Sequence, residues 1–219
     1  MGTEGDVAKH YRHGALERAV FDALTAAGKD IARLEVADLT DEFVAVATAL
    51  TQRCGLSDRV SFRQGSALAL PFDAATFDAA ILIHVGMNIS DKRRLFGEAR
   101  RVLKPSARFG VYDILRIGKG RICYPTPWAA REETSFVEDI GTYRDLLSES
   151  GFRVEAESSR ADDALALWQA MREARATHGP PVLGLHILMG SEAPLRLANV
   201  IGALEGGVIA PTQILARTR

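Results

Sequence analysis

Apolar residues first recur at helical spacing, as Val7, Tyr11, Leu16, Val20 and Leu24, which predicts a helix over 6–27 that stops at Gly28. The pattern then shortens. Leu34–Ala37 reads as a strand running into Asp38, and Thr40 suits the N-cap of a helix that continues through Gln52 and ends at Gly55. Arg59–Arg63 alternates as a strand and closes at Gly65, and 68–75 is loop broken by Pro71. Phe77–Ile83 is an unbroken apolar run, typical of a strand buried on both faces. Ser90 is expected to cap a helix over Asp91–Leu103, with Leu95, Ala99 and Val102 pointing inward and Pro105 as its stop. Arg108–Leu115 reads as a strand, 117–131 as a loop rich in Gly and Pro, Glu138–Ser150 as a helix ended by Gly151, and Phe152–Glu157 as a strand. Helices over Asp162–Thr177 and Pro194–Leu204 flank a break at Gly179–Pro181, and Val208–Ala216 is the final strand.

Strands alternating with helices through residue 158 predict an α/β fold, a parallel sheet with helices on both faces. The 160–206 stretch lacks that alternation and reads as a helical insertion over the edge or mouth of the sheet. The length of 219 residues suits one domain with a sizeable core, and 47% apolar with 25% charged residues is ordinary for a soluble protein. A formal net charge of -1 and the lack of a basic stripe argue against nucleic acid. Lys92, Arg93, Arg94, Arg100, Arg101 and Lys104 are basic, but on one amphipathic helix they read as a solvated face. Cys54 and Cys123 have no metal-type spacing and suggest free thiols in a reducing cytoplasm; no metal site is expected. The polar N-terminus carries no signal-peptide pattern, and no apolar run is long enough to span a membrane.

In open parallel sheets, ligands bind outside the carboxyl ends of the strands. That rule selects Asp38-Leu39-Thr40, Gly65-Ser66-Ala67, His84 to Asn88, and Asp113 with its following loop. Asp38 stands where nucleotide-type sites place an acid that accepts from two ribose hydroxyls. The Gly-rich loop that accompanies such an acid comes about 20 residues earlier. It is missing: the glycines before Asp38 are Gly2, Gly5, Gly14 and Gly28, and none makes G-x-G.

The order D-L-T, Q-G-S-A-L-A-L-P-F, F-D-A-A-I-L-I-H-V and E-A-R-R-V-L-K-P resembles the class I S-adenosylmethionine-dependent methyltransferases. M-N-I-S-D-K, Y-P-T-P-W-A and G-L-H-I-L-M-G resemble its small-molecule branch, which includes sarcosine/dimethylglycine and quinone-ring methyltransferases. The resemblance implies a Rossmann-like doubly wound sheet, mostly parallel, with an antiparallel C-terminal strand and without its first strand. It implies one domain: an N-terminal helical lid over 1–33, a sheet core over 34–158, a helical cap over 160–206 and a final strand over 208–216. The implied cofactor is S-adenosylmethionine and the implied partner a small-molecule methyl acceptor. By the same resemblance, Asp38 and Leu39 mark the ribose end, Gly65, Ser66 and Ala67 face the adenine, and His84 and Val85 line the floor beside the methionine part. Tyr11 belongs to the lid, and Asn88 and Trp128 border the acceptor.

Three departures from the family stand out. The strand, G-x-G-x-G turn and helix that precede the acidic strand are absent. Ser66 replaces the usual acid, and a neutral acceptor makes a weaker hydrogen bond than a charged one. Ser106-Ala107 replaces two glycines in a turn that needs positive φ, which is expected to fall on Ala107. If the sheet has closed over the gap, Leu34–Asp38 takes a central position; if not, it lies at an edge through which copies would dimerise or aggregate.

Each residue also has a structural reading. Asp38 suits a helix entry. His84 suits a satisfied strand-end histidine, and it is the candidate proton acceptor only for an acceptor that arrives protonated. Asn88 suits a turn cap, Tyr124 and Trp128 suit packing on the sheet, Trp168 suits core or lid packing, and Gly118-Lys119-Gly120 reads as a turn. The functions left open are methyl transfer, a degenerate non-catalytic binding or scaffold protein, and a nicotinamide-dependent oxidoreductase, which fits the downstream pattern worst.

Overall fold

The structure, a computed structural model, describes residues 32–179 and 184–219. Tyr11, the helix expected over 6–27 and nearly all of the expected lid lie outside these residues. Strand β1 (Leu34–Asp38), helix α1 (Asp41–Arg53) and strand β2 (Val60–Gln64) form the first unit. β1 and β2 pair in parallel, Leu34 opposite Val60 and Asp38 opposite Gln64, and α1 makes the crossover. A second sheet holds β3 (Phe77–Ile83), β4 (Leu103–Arg116), β5 (Phe152–Ser159) and β6 (Ile209–Thr218) in the order β3-β4-β6-β5. β3 and β4 run parallel, and β6 is antiparallel to both of its neighbours. Helix α2 (Lys92–Val102) links β3 to β4, and α3 (Ile140–Glu149) leads into β5.

The core lies between β4, β5, β6 and the two helices α2 and α3. Leu95, Phe96, Ala99 and Val102 form the buried stripe of α2, and Tyr143 and Leu147 that of α3. Phe96 is fully buried, its ring 5.4 Å from that of Tyr143 and 6.4 Å from that of Phe109. Phe109 in turn lies 5.2 Å from Phe152. Carboxylate caps start both helices: Asp91 accepts from Arg94 N–H at 3.0 Å, and Asp139 from Thr142 N–H at 2.9 Å.

Helices α4 (Ala161–His178), α5 (Leu185–Met189) and α6 (Ala193–Glu205) separate β5 from β6. Ala164, Leu204 and Ala210 pack together with Leu165 and Trp168, which seats α4 and α6 on β6 and gives Trp168 its packing role. The other side of α6 reaches the Pro-rich loop. Arg196 Nη1 donates to Thr126 O at 2.5 Å, and Asn199 Nδ2 donates to Pro125 O at 2.9 Å.

Four expectations change. The cap of α2 is Asp91 rather than Ser90, because the Asp91 carboxylate is the group that reaches the free N–H of the first turn. Phe77–Ile83 forms its strand, but no residue of it is fully buried; among the described residues its only partner strand is β4. Positive φ falls on Ser106 (61°), not Ala107, which is buried and donates its N–H to Thr218 Oγ1 at 3.0 Å.

The fourth concerns the basic residues of α2 and its C-terminal flank: Arg93 and Arg94 are exposed as a solvated face would be, but several of the six are also ties. Arg94 Nε donates to Leu68 O at 2.8 Å, while Arg101 donates to Phe72 O at 2.7 Å and Leu70 O at 2.9 Å. Glu98 accepts from Leu70 N–H at 2.8 Å, and its carboxyl is held below the usual range first by its hydrogen bond from Arg101. These bonds fasten the loop after β2 to the second sheet.

Phe96→Ala is expected to cost about 3–5 kcal/mol in chemical denaturation, through lost burial and the cavity left. Phe43, on the outer face of α1 and 52% exposed, is the control: Phe43→Ala is expected to stay within about 0.5 kcal/mol of the parent.

Candidate functional site

The strand ends selected from sequence fall into two groups. The first is built on β1 and β2. Gly65 N–H donates to Asp38 O at 2.9 Å, so the ladder continues one step past β2 and sets the Gly65-Ser66-Ala67 loop beside Asp38. Asp38 is half-buried, and its Oδ1 accepts from Thr40 N–H at 2.8 Å, so it does serve the helix entry. Leu39 is exposed, and its carbonyl accepts from Gln64 Nε2 at 3.2 Å. A Cβ at Gly65 would stand 2.7 Å from Pro71 Cδ, so the loop can close only on a glycine. Ser66 Oγ accepts from Leu68 N–H at 3.2 Å, while Ala67 and Leu68 pack against the core.

The second group begins where β3 ends. His84 turns the chain at φ 52°, a conformation costing a non-glycine residue about 1–2 kcal/mol. Its N–H donates to Tyr112 O at 2.8 Å, and its ring meets that of Tyr112 edge-on at 5.0 Å. Val85 leads into a single 3-10 turn, Gly86–Asn88. Asn88 is exposed and reaches back to His84 O at 3.4 Å, which is turn-closing geometry. Met87 is buried among Ile114, Ile122, Val200 and Val208, with Tyr124 and Trp128 packed alongside. The turn and the Pro-rich loop therefore meet under α6. Trp128 Nε1 donates to Ser135 Oγ at 3.0 Å.

Beneath this turn lies a polar cluster of which the sequence reading named only Asp113. Asp113 is completely buried near the end of β4. Its Oδ2 accepts from the Tyr143 hydroxyl at 2.8 Å and its Oδ1 from Ile114 N–H at 3.1 Å, while the Gly86 backbone packs so close to Oδ2 that a Cβ there would overlap it. Lys92, read as part of a solvated face, is only 3% exposed. Its ammonium donates to Ile89 O at 2.9 Å and to Phe136 O, and sits 5.9 Å from the Tyr143 ring centroid. Burial pushes the Asp113 carboxyl up to about 6, against the pull of the Tyr143, Ile114 and Gly86 donors and the Lys92 charge. Burial also lowers the Lys92 ammonium, which Glu138 and Asp113 partly offset, and raises the Tyr143 hydroxyl, with the Asp113 charge adding to that rise. The one signal in the sequence was an acid set inside the apolar run F-G-V-Y-D-I-L. Among the described residues no group of His, Cys, Asp and Glu is arranged to hold a metal, and no helix is long and apolar enough to cross a membrane.

Residues 14–111 match the family model described as "Methyltransferase domain". The erythromycin 3''-O-methyltransferase of Saccharopolyspora erythraea is 34% identical over 84 residues, which is 38% of this chain and 28% of that protein. The sterol 24-C-methyltransferase ERG6B of Gibberella zeae is 41% identical over 61 residues, 28% of this chain and 16% of that protein. The matches thus span well under half of either relative's length. A Galdieria sulphuraria protein provisionally named a sarcosine dimethylglycine methyltransferase superposes with a TM-score of 0.69 at 20% identity, over 84% of this chain and 69% of that one. The [4+2]-cyclase SpnF gives 0.66 at 22% identity, over 90% and 70%. The fold is the Rossmann-like one, mostly parallel with an antiparallel final strand. The match over residues 14–111, these relatives and the shared fold together support a class I S-adenosylmethionine-dependent methyltransferase.

The folded-state value of Asp113 lies above the ordinary carboxylate value of 3.8, so the native state holds a proton there that the unfolded chain has released. Its contribution to stability is fully present below pH 3.8 and is lost as pH rises through about 6. The stability of the parent minus that of Asp113→Asn is therefore expected to fall across that window, by on the order of 3 kcal/mol. Denaturant titrations at stepped pH measure it.

Proposed function

We propose that the chain binds S-adenosylmethionine along this rim and serves methyl transfer to a small-molecule acceptor, with its cofactor affinity lowered by the missing glycine loop. The observation that carries the reading is the backbone bond from Gly65 to Asp38, which puts the ribose acid and the adenine-side loop side by side. The residues present fit the adenosine end of the cofactor. At the methionine end, His84 and Val85 are present, but no G-x-G precedes Asp38 to approach the carboxylate closely. When bound, the cofactor supplies an electrophilic methyl group. The chain's own work is positioning and exclusion of water: α6 and the Pro-rich loop close over Met87, with Asn88 and Trp128 at the border of the acceptor space. His84 takes a proton only where the acceptor atom arrives protonated. Residues 1–219 act in this reading as one unit, with the cap over the acceptor.

The second reading is a non-catalytic binding or scaffold protein. It is favoured by the division of the sheet: among the described residues β1 pairs only with β2, and β3 only with β4. Self-association through those edges belongs to the same reading.

Calorimetric titration with S-adenosylhomocysteine separates the two. The proposal expects saturable binding in the micromolar range or weaker, reduced at least about ten-fold by Asp38→Ala through loss of hydrogen bonds to a charged acceptor. A folded, monodisperse sample that gives no heat overturns the proposal in favour of the second reading.

A further inference from the structure

The cluster under the His84–Asn88 turn has a geometry that plain packing does not require. A Cβ at Gly86 would overlap both Asp113 Oδ2 and the Tyr143 hydroxyl, so the turn can sit down on the carboxylate only with a glycine there. His84 is held at positive φ two residues earlier, a strain that persists only when the surroundings over-determine it. The Tyr143 hydroxyl and Ile114 N–H donate to the carboxylate, and the Gly86 amide, packed against it, pulls it toward the charged form. That set satisfies an ionised acid. A protonated acid has one acceptor position fewer, and its proton finds an acceptor only if the Tyr143 hydroxyl turns its own proton away.

We propose that Asp113 is the positioning residue of the His84–Asn88 turn: its charge holds the Gly86 amide, so the turn is fixed when Asp113 is ionised and loosens when it is protonated. This rests on the functional reading above only for the ligand that the turn faces. The titratable groups around the carboxylate are Tyr143 from α3, Lys92 from α2, and Glu138 from the segment before α3; Thr212, opposite on β6, is neutral. Tyr143 stays protonated, and Lys92 keeps two carbonyl acceptors, so Asp113 is the member of the cluster whose charge changes near neutral pH. The switch would weaken ligand binding on the acid side of that change.

The test is the pH dependence of the Gly86 amide in proton–nitrogen spectra of the full chain. The expected result is an inflection near pH 6, absent in Asp113→Asn. Tyr143→Phe keeps the ring and removes one donor from the carboxylate, so it is expected to move the inflection to higher pH. A Gly86 amide that does not titrate, or an inflection that survives in Asp113→Asn, overturns the proposal. Should Asp113→Asn fail to fold, an unchanged midpoint in Tyr143→Phe overturns it instead. S-adenosylhomocysteine titrations on the same samples read the consequence for the site. Binding by the parent is expected to weaken about three- to ten-fold on the acid side of the inflection, the worth of one hydrogen bond. An affinity independent of pH, with the amide still titrating, overturns the link to the ligand. A parent that binds no S-adenosylhomocysteine overturns the functional reading alone, and the amide titration still decides the positioning role.

Discussion

The structure depends on how β4 is paired. From Phe109 to Leu115 every residue of this strand is buried, and it is paired along both edges, parallel to β3 and antiparallel to β6. Register is the constraint. Asp113 faces Thr212 and Phe109 faces Ala216, and a slip of one residue would turn every side chain of β4 to the other face. Phe109 would leave the aromatic cluster with Phe96 and Phe152, and Asp113 would leave Tyr143 and the Gly86 amide. The apolar core and the buried acid are thus fixed by one ladder. The core makes the register costly to lose, and the register puts a charge where the turn after β3 needs an acceptor.

From that strand the organisation runs outward with decreasing support. α2 and α3 bury strong apolar stripes against it. The cap is tied to the Pro-rich loop through Arg196 and Asn199, and both reach the sheet through Val200, Ala203 and Leu204. The β1-α1-β2 unit is held differently. No residue of α1 is fully buried, and Phe43, Val46 and Leu50 are each more than half exposed. Its neighbouring loop packs on the core through Ala67 and Leu68 and is tied by polar bonds from Arg94, Glu98 and Arg101 of α2 to the backbone of Leu68, Leu70 and Phe72. Hydrogen bonds of this kind contribute about 0.5–1.5 kcal/mol each, more where a charge takes part, against several kcal/mol for a buried aromatic ring.

Local elements were legible from sequence where a short-range pattern decides them. Phe77–Ile83 has the strand bounds read from its apolar run, and the boundaries of most other elements moved by only one to three residues. β4 is the exception: its strand begins at Leu103, directly after α2, because Lys104 to Ala107 continue into the ladder through Thr218. Burial and charge pairing were less legible, since they depend on residues far apart in the chain. Lys92 reads as one basic residue among six, and only the approach of Phe136 and Tyr143 shows that it is buried. Tyr143 carries no mark beyond helical spacing with Leu147. The strand-end rule did place Asp38, Gly65 and His84 at the ends of β1, β2 and β3, because that rule depends on connectivity, which alternation already reveals.

The two halves of the rim have been kept to different degrees. The turn after β3 has a glycine without space for a side chain, a strained histidine, and a fully buried carboxylate with two hydrogen-bond donors. A buried charge is costly unless each partner is in place, so drift would dismantle such a cluster quickly if nothing depended on it. On the other half, no G-x-G precedes Asp38, so under the proposed function the cofactor carboxylate lacks the usual close backbone donors. Hydrogen bonds to a charged group are worth about 1.5–3 kcal/mol each, so losing two weakens binding by roughly two to four orders of magnitude. Under the same proposal Asp38 would have to supply what remains, and Ser66 offers a neutral group where an acid would bind more strongly. The asymmetry fits a site whose demand for geometry under the acceptor has outlasted its demand for cofactor affinity. That is the pattern expected of a weak-binding methyltransferase, or of a relative that uses the acceptor pocket for another purpose.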